Sequence, residues 1–153
     1  MASNLPPDIQ RGLVHPLQAS VVNREQRNVG QWTANNTVSS LVFIADRALV
    51  VREVWIACDA IPADADGTML VTVKARDVSE GAFDTLVNAF NAESVVLVAN
   101  KGYQATLATE TTENEWTLAA GDAITVDLVS DSAAINTNAN VLVSILWQPL
   151  ELL

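Results

Sequence analysis

The chain has 153 residues, half of them apolar, and eighteen acidic against eight basic side chains give it a net charge of -10. That length suits one domain with an added arm and can bury a substantial core, while the acidity argues against a phosphate backbone as the partner of the protein's body. One cysteine, Cys58, excludes an internal disulfide, and with His15 as the only histidine zinc lacks its usual ligands.

Residues 1–35 differ from the rest. They hold Pro6, Pro7 and Pro16, the polar run Asn23 to Asn28, and no sustained period. Proline removes a backbone donor and biases its neighbour toward extended conformations, so this part reads as an extended N-terminal arm, either disordered or ordered by a partner. It is also the basic part of the chain. Residues 1–52 hold five arginines against three acids, and the remainder holds three basic residues against fifteen acids. Met1 to Ser20 lacks the apolar stretch of a secretion signal, and no segment approaches the roughly 18 apolar residues of a membrane span, so synthesis in a cytoplasm without a membrane partner is expected.

Residues 36–153 read as one β-domain. Strands are expected over Val38 to Ile44, Leu49 to Cys58, Thr68 to Arg76, Glu93 to Ala99, Tyr103 to Thr109, Ala123 to Ser130 and Asn140 to Gln148, with a short addition at Glu115 to Leu118. The clearest is Thr68 to Arg76. Met69, Val71, Val73 and Ala75 share one face, and Thr68, Thr72, Lys74 and Arg76 share the other, the period of a half-buried strand. About eight strands at even spacing predict an all-β sandwich or barrel. Phe83, Leu86, Val87 and Phe90 break the pattern, because their spacing of three and four predicts one short helix packed on a sheet edge.

Little in the sequence is suited to chemistry. His15 lies in the arm, away from any rigid scaffold that a catalytic base requires. Asp59, Asp64 and Asp66 precede Gly67, but registering a calcium loop on that glycine puts Pro62 at its first position and Val73 at its twelfth, both unsuitable. Glu110, Glu113 and Glu115 form a solvated acidic tip unless a cleft draws them together. No catalytic residue, cofactor or metal is expected. Trp55 and Trp147 fall within strands and read as core. Trp32 and Trp116 end the arm and an acidic loop, where a single tryptophan more often packs locally, and where an interface anchor or a sugar-stacking ring would also sit.

The run Glu115 to Val126 contains L-x-x-G-D-x-I-x-V, with Gly121-Asp122 as a turn feeding the strand of Ile124, Val126 and Leu128. With Val141 to Trp147 as a closing strand, and Val50 to Ile56 followed by Asp66 to Val73 before it, the chain resembles the jelly-roll head decoration, or cement, proteins of tailed bacteriophages over about residues 37–150. A catalytic cupin, which shares the G-D turn, would need a histidine set that is absent here. The resemblance implies a jelly-roll-like sandwich and a homotrimer on the outer capsid surface of the virion, made in the host cytoplasm. It would bind the major capsid protein and clamp adjacent capsomers through its arm. Arg11, Arg24, Arg27 and Trp32 are the candidate contacts, chosen on charge and size because arginine and tryptophan are enriched at interfaces. The competing reading is a carbohydrate- or receptor-binding β-domain of a phage tail or head fibre, with a groove around Trp116 or Tyr103.

Overall fold

A computed structural model describes residues 22–60, 68–76, 83–92, 97–108, 116–133 and 139–150. Among the described residues nine strands form: β1 (Asn23–Gly30), β2 (Asn36–Ile44), β3 (Leu49–Cys58), β4 (Met69–Arg76), β5 (Phe83–Asn91), β6 (Tyr103–Ala105), β7 (Thr117–Leu118), β8 (Ala123–Ser130) and β9 (Val141–Pro149). They make two antiparallel sheets, β1-β9-β3-β6 and β2-β8-β4-β5, with β7 attached to β3. The pairs β1–β9, β2–β8, β3–β6 and β4–β5 are those of one long hairpin rolled into a barrel-like sandwich. This strand order is that of a jelly roll.

Alternation drives the packing. On β4, Met69, Val71, Val73 and Ala75 are buried, and Ile124, Val126 and Leu128 of β8 face the same way. Val141, Val143 and Ile145 of β9 and Val54, Ile56 and Cys58 of β3 supply the opposing layer. The inner faces of the two sheets therefore make a single core in which Leu49, Ile56, Met69, Leu86, Leu97, Ile124, Leu128 and Ile145 are fully buried. At one end the Phe43 ring meets Trp147 across the sheets, with centroids 5.8 Å apart.

Three expectations need correction. First, the sandwich begins inside the segment read as an arm, because β1 pairs with β9 from Asn23 opposite Trp147 to Gly30 opposite Val141. Its polar sequence hides the strand, since an edge strand with a largely solvated face shows no apolar alternation. Second, no helix forms over Phe83 to Phe90. That stretch is β5, paired with β4, and the register slips twice: three steps on β5 from Val87 to Phe90 oppose two on β4, and two steps from Thr85 to Val87 oppose one. Each bulge inserts one residue and converts a period of two into helical-looking spacing. Third, Leu97 to Ala99 is not strand. Ala99 and Asn100 form a turn in which Asn100 adopts φ 61° and its N–H donates to Cys58 O at 2.7 Å. Residues 93–96 lie outside the described residues.

Candidate contact surface

Four carboxylates, those of Asp59, Asp122, Asp127 and Asp131, tie loops and strands together. Asp122 is buried, and its Oδ2 accepts the Ala119 N–H at 2.7 Å. Its backbone O accepts from Ala45 N, and Gly121 N–H donates to Ala45 O, both at 2.8 Å. Gly121 has φ 99°, a conformation that favours glycine. The G-D pair thus closes the turn before β8 and ties it to the chain leaving β2. Asp59, just beyond β3, accepts from both the backbone N and the side-chain Nδ2 of Asn140, and Gln31 Nε2 donates to Asn140 Oδ1 at 3.1 Å. The Asn140 hydrogen bonds hold the Asp59 carboxyl below the ordinary carboxylate range. Asp131 accepts from Thr68 N and Oγ1, which lowers its pKa in the same way.

On the outer face of the β2-β8-β4-β5 sheet, Asp127 receives Lys74 Nζ and Ser39 Oγ, each at 2.7 Å. Burial pushes its carboxyl upward, but the hydrogen bonds from Lys74 and Ser39 prevail, so it sits below the ordinary range. Cys58 is buried, and burial, helped by the Asp59 charge, pushes its thiol up to about 11. Among the described residues no three His, Cys, Asp or Glu side chains are grouped to hold a metal ion. His15, Asp64, Asp66, Glu110, Glu113 and Glu115 lie outside the described residues.

The candidate contacts separate into three kinds. Arg24 and Arg27 stand exposed on β1, a free edge of its sheet, and neither forms a salt bridge with a described residue. Arg11 lies outside the described residues. Trp32 is 5% exposed, and its Nε1 donates to Leu70 O at 3.0 Å. It closes the core where the chain crosses from one sheet to the other, which corrects its reading as a surface anchor. The two rings expected to line a groove also pack on the core. Trp116 Nε1 donates to Ala108 O at 3.1 Å, and Tyr103 Oη accepts the Val98 N–H at 2.9 Å. A shallow depression of about 350 Å³ lies instead between Arg52, Glu53, Gln104 and Thr106. Beside it, Trp55 donates from Nε1 to Glu53 Oε2 at 2.7 Å.

One surface feature escaped the sequence reading. Leu41 and Ile44 on β2 are 47% and 56% exposed. The signal was the unbroken run Leu41-Val42-Phe43-Ile44, which must present apolar side chains on both faces of an edge strand. No family model, no curated protein and no solved structure matches this chain.

Proposed function

We propose that this chain is a non-enzymatic structural protein of a virus particle, a cement subunit that sits as a homotrimer on the outer capsid surface. Arg11, Arg24 and Arg27 contact the major capsid protein or neighbouring copies, and three linked contacts per trimer turn weak single binding into firm retention. The observation that carries this reading is the pair of exposed arginines on a free sheet edge in a chain of net charge -10. Cations that form no ion pair with a described residue, on an otherwise acidic molecule, favour an acidic partner surface. The jelly-roll strand order and the turn made by Gly121 and Asp122 support the resemblance to capsid decoration proteins.

The test is co-sedimentation with tailed-phage capsids assembled without this protein, alongside sedimentation velocity of the free protein. The wild type should pellet with capsids and run as a trimer. The double variant R24E/R27E should lose at least about tenfold in affinity, or 1.4 kcal/mol, with unchanged melting. A monomer that ignores capsids refutes the reading. A second reading, a carbohydrate-binding domain, is favoured by the depression at Arg52, Glu53, Gln104 and Thr106 beside the half-buried Trp55. Binding on a glycan array that is lost in Trp55→Ala supports it over the first.

A further inference from the structure

β1, β6, β2 and β5 stand at the ends of the two sheets. β6 has three residues. β5 slips register twice and is bridged at Val87 by Leu107, and β2 slips between Leu41 and Phe43. β1 differs. From Asn23 to Asn28 it pairs with β9 without a break, and among the described residues no strand pairs with its other side. β2 reaches it through a side chain, Ser40 Oγ donating to Val29 O at 3.1 Å, and among the described residues no backbone hydrogen bond joins the two strands. An open, unbroken edge of this kind is a template for another strand.

The side chains of β1 restrict what that strand can be. Glu25 and Arg27 lie opposite Ile145 and Val143 of β9, both fully buried, so the two charges sit at the rim of the core-facing side. Among the described residues neither forms an ion pair. Inward charges on an edge turn away an apolar strand and admit one that carries the opposite charge at each position. β1 is itself such a strand. A two-fold axis through the sheet keeps the core faces of two antiparallel copies on one side, which centres every register on a single residue. Centring on Arg24, Glu25 or Arg27 sets that residue against its own copy, like charge on like. Centring on Asn23 or Asn28 leaves Glu25 and Arg27 unmatched. Centring on Gln26 sets Glu25 against Arg27 twice, and Arg24 against Asn28. We propose that two copies of this chain join through β1, antiparallel about Gln26, into one sheet continuous across both sandwiches. The ladder is short, so the contact is transient between free molecules and is read best by trapping it. It needs no capsid and stands apart from the virus-particle reading. It gives Arg27 to a neighbouring copy and leaves Arg24, on the opposite face, to another partner.

The experiment traps the pair with a disulfide in the full chain. In Gln26→Cys the two thiols face each other across the axis, with Cα atoms about 4.5–5.5 Å apart, within the span of a disulfide. In Arg24→Cys they are offset by about 13 Å along the ladder, beyond its reach. Cys58 is buried and does not compete. After mild oxidation Q26C should give a linked dimer on a non-reducing denaturing gel, and R24C at least about tenfold less. E25R or R27E, each added to Q26C, puts like charges opposite at both symmetry-related positions and should slow cross-linking about tenfold. E25R/R27E together reverse every pair and should restore the rate, with melting showing that each variant is folded. Failure of Q26C to link, equal linking of Q26C and R24C, or a double reversal that does not restore the rate overturns the proposal. The contrast between Q26C and R24C stands even where a charge variant does not fold. Linked chains run at the mass of a dimer on this gel whether the free protein is a monomer or a trimer, so loss of the trimer and loss of the β1 contact are told apart.

Discussion

Asp122 shows how a residue that reads like chemistry in the sequence serves structure. It accepts a backbone N–H from Ala119 and lies within a turn sealed by reciprocal Ala45 hydrogen bonds. Removing the acceptor leaves a part-buried donor unpaired and loses one charged hydrogen bond, which costs on the order of 1 kcal/mol. We expect D122A to lower the free energy of unfolding in urea by that amount, while D122N, which keeps one acceptor oxygen, lowers it less. Equal loss in both variants would show that the charge, and not the hydrogen bond, matters. The G-D motif was legible because a turn before an alternating strand leaves a compositional mark.

At the scale of elements, the strands that alternate were read correctly, and those that do not were missed. β3, β4, β8 and β9 are central or buried strands with apolar side chains on a fixed face. β1 escaped because it is a polar edge, and β5 escaped because two bulges lie within six residues of its pairing. The same bulges place Leu86 and Val87, neighbours in sequence, both in the buried set, at 0% and 1% exposure. We therefore expect L86A to cost about 2–5 kcal/mol in chemical denaturation. The exposed neighbour N88A should stay within about 0.5 kcal/mol of wild type. The candidate site was partly legible. Arg24 and Arg27 were chosen on charge and do stand exposed, whereas Trp32 was chosen on size, and size is also what fits a ring to a core.

For the whole molecule, the titrating groups define a pH window. Asp59, Asp127 and Asp131 have folded pKa values lowered by their hydrogen bonds. Their stabilisation is complete above the unfolded value, about 3.9, and is lost as pH falls through the lowered folded values. Cys58 behaves oppositely: its thiol is raised from 9.0 to about 11, so its contribution is complete below 9.0 and is lost as pH rises toward that higher value. Melting temperature should hold a plateau between about pH 5 and pH 9 and fall on both sides. D127N should flatten part of the acid limb, and an unchanged limb would remove Asp127 from the account. A mechanical consequence follows from β1 lying antiparallel beside β9. A force applied at Val22 and Leu150 enters at the same pole and peels these strands apart one hydrogen bond at a time, like a zip, instead of shearing the whole ladder at once. Single-molecule pulling from these two points should rupture the fold at low force.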